Sequence, residues 1–143
     1  MNKLAKIDNL DFIFEAIKTT KFFKYLRKDS IKKLIEKGNI IYENNTIIIF
    51  RKYKRKVKLG NISAIKNSYR IYHIIITKLS TRKNISKNID KFCYNKTVFI
   101  MIDSNNIQMI NFYKNNKFVE ISSNNKNTIL LRKNQKGIIK WFQ

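Results

Sequence analysis

Apolar residues near the start of the chain recur at the spacing of an amphipathic helix. Seven of them recur at roughly three to four residue spacing: Leu10, Ile13, Phe14, Ile17, Phe22, Tyr25 and Leu26. This periodicity predicts a helix over residues 8–27, with a break near residues 19–20. Asp29 and Ser30 offer an N-cap for a second, shorter helix over residues 31–37, and Gly38 is positioned to end it.

After Gly38 the pattern changes to short runs of β-branched and aromatic residues, which are typical of strands. Residues 39–42 and 46–50 flank a Glu-Asn-Asn turn and therefore predict a β-hairpin. We expect the second strand to continue through the charged residues 51–58, whose charge opposes edge-to-edge aggregation if this stretch lies at a sheet edge. Residues 70–78, rich in isoleucine, predict a further and central strand.

The second half of the chain alternates between helical and extended patterns. It predicts a helix over 85–94, a buried strand over 97–102, a helix over 107–115, and strands over 118–121 and 128–131. The resulting order is that of a mixed α/β fold with a strand-helix-strand unit in its middle. No internal repeat or linker interrupts residues 1–143, so we interpret the chain as a single domain.

The charge is strongly unbalanced, with 31 Lys and Arg against 9 Asp and Glu, a formal net charge of +22. A protein this basic binds polyanions by releasing their counterions. Basic residues are densest around Tyr53 and Val57, where we predict nucleic-acid contacts by six side chains: Arg51, Lys52, Lys54, Arg55, Lys56 and Lys58. The alternative is a solvated surface without a dedicated partner.

Other residue types limit the possible chemistry. Cys93, the single cysteine, excludes an internal disulfide and is interpreted as a core residue in a reducing compartment. One histidine and one cysteine argue against a metal site. The apolar runs are too short to span a membrane, and no signal-peptide pattern opens the chain. We therefore expect a cytoplasmic protein without a metal.

Residues 106–118 carry a more specific pattern. It resembles the C-terminal signature of the GNAT acyltransferases, in which Asn, a small residue, Phe-Tyr and Gly-Phe stand at fixed spacing. Four residues match this spacing: Asn106, Phe112, Tyr113 and Phe118. Met109 replaces the usual Ala, and Lys117 replaces the usual Gly. The resemblance implies a single GNAT-like domain, of the α/β (α+β) class, with a mixed, mostly antiparallel central sheet flanked by helices.

The same resemblance implies an acetyl-CoA (or other acyl-CoA) site before the helix near residue 85. The family's pyrophosphate loop aligns with residues 81–86, where Thr81 replaces the leading Gln or Arg, and Asn84 and Ser86 replace two glycines. Basic side chains nearby can compensate by direct contact with phosphate. The implied cofactor-binding residues are Arg82, Lys83, Asn84, Ile85, Ser86, Lys87 and Asn106. For Asn106, the alternative is a helix cap.

The family's activity implies transfer of an acyl group to an amine, with Tyr113 as the general acid that protonates the departing thiolate. The alternative for Tyr113 is an aromatic side chain packed between helix and sheet. No carboxylate lies between Glu43 and Asp90. His73, with an ordinary pKa of about 6.5, is therefore the candidate general base, or else a structural histidine.

The net charge argues against a polycationic acceptor and favours an amine on or near nucleic acid. The Mom proteins of phages resemble GNAT enzymes and modify adenine in DNA, so a Mom-like DNA base modification, in the host cytoplasm for a phage-encoded protein, is a sharper form of this hypothesis. The alternative is a catalytically inactive GNAT-fold module that binds nucleic acid or an acidic protein. The oligomeric state cannot be read from the sequence.

Overall fold

The computed structural model describes residues 3–19, 26–59, 62–76 and 82–133. Its helices are a 3₁₀ turn (Ile7–Asn9), α1 (Leu10–Lys18), α2 (Lys28–Glu36), α3 (Arg82–Cys93) and α4 (Ile107–Asn115). Its strands are β1 (Ile40–Glu43), β2 (Thr46–Lys52), β3 (Val57–Leu59), β4 (Ile62–Ala64), β5 (Tyr69–Ile76), β6 (Val98–Asp103), β7 (Val119–Ser123) and β8 (Asn127–Arg132).

Six of these strands form one sheet in the order β1-β2-β5-β6-β8-β7, and β3 and β4 form a separate pair. The pairs β1–β2, β6–β8 and β7–β8 are antiparallel, whereas β5 and β6 run parallel. The parallel pairing extends from Tyr69↔Val98 to Ile71↔Ile100, and both strands continue beyond it. This mixed, mostly antiparallel sheet with flanking helices confirms the predicted fold class.

The chain divides into two compact units. The first comprises residues 1–50 and 73–88, and the second comprises residues 51–72 and 89–143. Isoleucine dominates the buried core of the first unit: Ala5, Ile13, Ile17, Ile31, Ile35, Ile40, Ile47, Ile49 and Ile75. Each fully buried side chain of this size stabilises the folded state by about 1.5–3 kcal/mol. The apolar residues that recur at helical spacing in α1 and α2 are buried in this core.

The second unit has a core of its own, in which the β3–β4 pair packs on the main sheet. Its buried members are Tyr53, Leu59, Ala64, Phe99 and Ile129. Phe99 lies on β6 and Ile129 on β8, which are adjacent antiparallel strands. The small hairpin is therefore held by apolar side chains on one face of the sheet.

Local backbone chemistry explains where the early elements end. Gly38 has φ +72° and follows the C-cap of α2, where its N–H donates to Ile35 O at 3.0 Å. Asn44 and Asn45 have φ of 49° and 63° and form the two-residue turn between β1 and β2. Asn tolerates this left-handed conformation better than most residues. The predicted helix end and hairpin are both confirmed.

The prediction of one continuous strand through residues 51–58 is wrong. β2 ends at Lys52, the chain bends, and β3 begins at Val57. β2 also lies between β1 and β5, so it is not an edge strand. Between the two strands lies Tyr53, which is buried and whose N–H donates to Ser68 O at 2.8 Å.

Three predicted element boundaries also differ. The first helix ends at Lys18, and residues 20–25 lie outside the described part of the chain. α2 begins at Lys28, which places Asp29 in its first turn, where a carboxylate favours the helix dipole. α3 begins at Arg82 and not at residue 85, because its first residues are polar and gave no apolar periodicity. Residues 77–81 are outside the described part.

Candidate active site

Asn106 begins α4 as its N-cap. Its Oδ1 accepts a hydrogen bond from the Met109 N–H at 3.1 Å, and its backbone carbonyl accepts from the Ile110 N–H at 3.1 Å. This side-chain bond satisfies one of the amide donors that a helix start leaves without an intrahelical partner. The helix-cap interpretation of Asn106 is confirmed, and its contact with a cofactor stays a prediction.

The end of α4 explains why the family pattern has glycine where this chain has Lys117. Lys117 has φ +71°, its N–H donates to Lys114 O at 3.2 Å, and the Phe118 N–H donates to Tyr113 O at 3.1 Å. These two bonds form a Schellman motif, which needs a left-handed residue at this position. The rings of Phe118 and Tyr113 add the accompanying apolar contact, with centroids 5.3 Å apart.

Replacing Lys117 with Gly is therefore expected to stabilise the protein by about 1 kcal/mol, since glycine adopts this conformation without a Cβ penalty. Chemical denaturation measures the change. Asn115→Gly, inside α4, serves as the control and should destabilise by about 0.3 kcal/mol. A Lys117→Gly variant that is less stable than the parent contradicts this account of the turn.

Tyr113 is buried in the second unit. Its ring makes edge contacts with Phe112 and Phe118, at centroid distances of 5.2 and 5.3 Å. Burial raises the pKa of Tyr113 far above its usual value, with a smaller contribution from Cys93. The hydroxyl is therefore protonated at neutral pH and has a proton to donate. The ring of Tyr113 is thus a packed aromatic side chain, as the alternative interpretation expected, and a catalytic role of its hydroxyl stays a prediction.

His73 lies on β5 in the first unit and is partly buried. Burial lowers the pKa of His73 below 6.5. The imidazole is consequently neutral at pH 7, the form that accepts a proton. His73 belongs to the first unit and Tyr113 to the second, so the position of each residue is described only within its own unit.

The start of α3 occupies the place of the predicted pyrophosphate loop. Asn84 and Ser86 lie within the helix and do not have positive φ, so they replace glycine without backbone strain. Lys83, Ser86 and Lys87 have exposed side chains, and no acidic residue lies in the first turn. A helix start with exposed lysines and no carboxylate in its first turn suits a pyrophosphate.

Ile85 differs from its neighbours because its side chain is buried. Its contact with a phosphate stays a prediction. The residues present therefore fit the phosphate groups of an acyl-CoA through main-chain donors and lysine side chains. The substituted glycines add side chains at two positions where the family pattern has none.

The six basic residues predicted to contact nucleic acid are all exposed: Arg51, Lys52, Lys54, Arg55, Lys56 and Lys58. Lys52 Nζ lies 5.7 Å from the centroid of the Tyr69 ring, and Lys96 Nζ lies 5.4 Å from the same centroid. Across the described residues, none of the six forms an ion pair with a carboxylate.

Sequence reasoning missed the buried Arg132. Its guanidinium donates to Asp90 Oδ1 at 2.8 Å and to Asn116 O at 3.2 Å. Asn116 is itself buried, and its side chain donates to Phe112 O at 2.9 Å. Arg132 thereby links β8 to α3 and to the end of α4. The sequence did contain a signal for this burial. Side chains alternate along a strand, so Arg132 lies on the same, inward face of β8 as Thr128 and Leu130.

Cys93 is buried as expected for a core residue, and burial raises the pKa of its thiol to about 12. The portion of the chain that is described contains no group of three or more His, Cys, Asp or Glu side chains that could hold a metal ion. Within the same portion, none of the helices has the length and apolar composition needed to cross a membrane.

No protein-family model and no curated protein matches the chain. Several solved structures do match the chain. A GNAT-family acetyltransferase from Streptococcus agalactiae aligns with a TM-score of 0.67 at 10% identity, over 92% of this chain and 94% of the other. One from Bacillus cereus gives 0.62 at 17% identity, over 94% and 96%.

The PaiA N-acetyltransferase of Thermoplasma acidophilum, solved in complex with coenzyme A, gives a TM-score of 0.62 at 12% identity. The alignment covers 93% of this chain and 98% of that one. Nearly the full length of each protein is therefore matched. This chain has the fold of the GNAT-family acetyltransferases.

Proposed function

We propose that the protein is an acyl-CoA-dependent N-acyltransferase of the GNAT type. The observation that carries the proposal is α4, where Asn106 caps the helix, Tyr113 lies buried, and Lys117 takes the conformation of the family's glycine. The GNAT fold around this helix supports the same activity. Fold alone does not determine function, so the proposal depends on these residues.

In the proposed reaction, acyl-CoA supplies a thioester whose carbonyl carbon is attacked by an amine. The N-terminal amide groups of α3, with Lys83 and Lys87, bind the phosphates. His73 accepts the proton that the amine loses, and Tyr113 donates its proton to the departing thiolate.

Two lysine substitutions test the phosphate site. Lys83→Gln with Lys87→Gln should weaken acetyl-CoA binding about tenfold, because two charge-assisted contacts with phosphate are lost. Calorimetric titration measures the change. The matched control is Lys32→Gln with Lys33→Gln on α2, two exposed lysines that remove the same charge. Equal weakening by both pairs assigns the effect to net charge and contradicts a phosphate site at α3.

For the acceptor, we infer an amine on or near nucleic acid, with DNA base modification of the Mom type as its sharpest form. The charge of +22 and the six exposed basic residues within 51–58 support this choice. A polycationic acceptor would be repelled by the same charge.

An acyl-transfer assay tests the proposed function. Purified protein, freed of nucleic acid, is incubated with acetyl-CoA and one acceptor at a time, and release of free CoA thiol is measured. The acceptors are single-stranded DNA, tRNA and spermidine. Thiol release that depends on DNA or tRNA supports the proposal. Release with spermidine alone contradicts the nucleic-acid acceptor, and release with none contradicts the activity on these acceptors.

The second candidate function is a catalytically inactive GNAT-fold module that binds nucleic acid or an acidic protein. Asn84 and Ser86 favour it, because their side chains occupy positions where the family pattern has glycine. Binding of acetyl-CoA separates the two candidates, since the inactive module has no use for the cofactor.

A further inference from the structure

Residues 51–72 contain eight Lys and Arg and no Asp or Glu. All of them belong to the second unit, and they surround the β3–β4 pair. The most basic part of the chain is thus concentrated on one small structural feature and is not distributed evenly along the sequence.

This feature is fixed in place by its backbone. The Tyr53 N–H donates to Ser68 O at 2.8 Å, and the Asn67 N–H donates to Tyr53 O at 2.8 Å. Tyr53 is buried in the same core as Phe99 and Ile129. Because the segment is anchored at both ends, its basic side chains start from an ordered backbone, which lowers the entropic cost of binding a ligand.

Four cations project from this scaffold: Lys54, Arg55, Lys56 and Lys58, which are all exposed. In the described ranges, none of them forms an ion pair with a carboxylate. Neighbouring like charges without counterions repel one another, and a bound chain of phosphates relieves that repulsion.

Arg70 and Tyr72 add a stacking pair. Arg70 is the in-register partner of Phe99 in the parallel β5–β6 pairing, so it lies on the sheet face where the hairpin packs. Its guanidinium carbon is 4.6 Å from the centroid of the Tyr72 ring, and its Nε is buried without a hydrogen-bond partner. Tyr72 is 39% exposed, which leaves ring surface for a ligand.

We propose that these six residues form a binding surface for single-stranded nucleic acid: Lys54, Arg55, Lys56, Lys58, Arg70 and Tyr72. This surface, called here the hairpin surface, holds phosphates with its lysines and arginines and stacks an unpaired base against the Arg70–Tyr72 pair. An exposed ring beside a guanidinium suits a base better than it suits the carboxylates of an acidic protein. The inference deepens the acceptor part of the proposed function and rests on it.

The test is binding of a fluorescent single-stranded oligonucleotide, followed by anisotropy at several salt concentrations and without acetyl-CoA. A variant with Lys54, Arg55, Lys56 and Lys58 replaced by Gln should bind at least about tenfold more weakly, and the salt slope should fall by about three to four. The control replaces Lys6, Lys32, Lys33 and Lys37, exposed residues of the first unit, and so removes the same charge. Equal weakening in both variants overturns the proposal.

Tyr72→Ala tests the stacking step and the kind of partner. It should weaken binding of the single strand about tenfold and leave binding of a duplex of the same sequence unchanged. Preference of the parent protein for the duplex, or for anionic phospholipid vesicles, overturns the assignment. Circular dichroism confirms folding of each variant. Binding of acetyl-CoA is measured in parallel. A failure of the proposed enzymatic function is then distinguished from a failure of the proposed nucleic-acid binding at the hairpin surface.

Discussion

Replacing Tyr113 with Phe should lower kcat about a hundredfold, the lower end of the usual contribution from a general acid. The substitution removes only the hydroxyl, and the ring contacts with Phe112 and Phe118 remain. The free energy of unfolding should therefore change by less than about 1 kcal/mol. The assay is thiol release with saturating acetyl-CoA and acceptor, together with chemical denaturation of the same samples.

Tyr42→Phe is the matched control for this prediction, because Tyr42 is a partly buried tyrosine on β1 outside the α4 motif. Its kcat should remain within about twofold of the parent. If Tyr113→Phe also stays in that range, the hydroxyl has no catalytic role, and Tyr113 acts only through packing.

Replacing Arg132 with Ala should destabilise the protein by about 3 kcal/mol. Loss of a partner from a buried ion pair costs about 3–5 kcal/mol, and the lower end applies because Asp90 is partly exposed. The substitution also leaves the Asn116 carbonyl without its donor and opens a space in the core. Urea denaturation, with the midpoint and slope fitted separately, measures the change.

Lys114→Ala supplies the comparison for Arg132. Lys114 pairs with Glu120 at 3.6 Å, and both side chains are more than 40% exposed. Breaking an exposed pair of this kind costs less than about 1 kcal/mol. Similar losses in the two variants contradict the view that burial makes the Arg132 network important.

Much of the fold could be predicted from sequence because its signals are local. The turn at Asn44 and Asn45, the end of α2 at Gly38, and α4 over residues 107–115 all follow from residue types that a particular backbone conformation demands. The order of the predicted elements indicated a mixed α/β fold, and the α4 motif with its preceding strand indicated a GNAT-like domain.

What the sequence did not predict depends on long-range contacts. The β3–β4 pair was missed because its strands are short and Tyr53, between charged residues, is buried in a core that includes the distant Phe99 and Ile129. The Arg132–Asp90 pair joins residues 42 positions apart, which no local pattern specifies. For the candidate site, sequence predicted the cap at Asn106, while the roles of His73 and Tyr113 stay predictions.

The central claim is that this GNAT fold retains a working acyl-CoA site, and calorimetric titration of the nucleic-acid-free protein with acetyl-CoA tests it most directly. Moderate salt suppresses non-specific binding of polyanions, and ATP serves as the polyphosphate control. We expect micromolar binding of acetyl-CoA without comparable binding of ATP. Absence of binding, or equal binding of the two ligands, contradicts an acyl-CoA site at the start of α3.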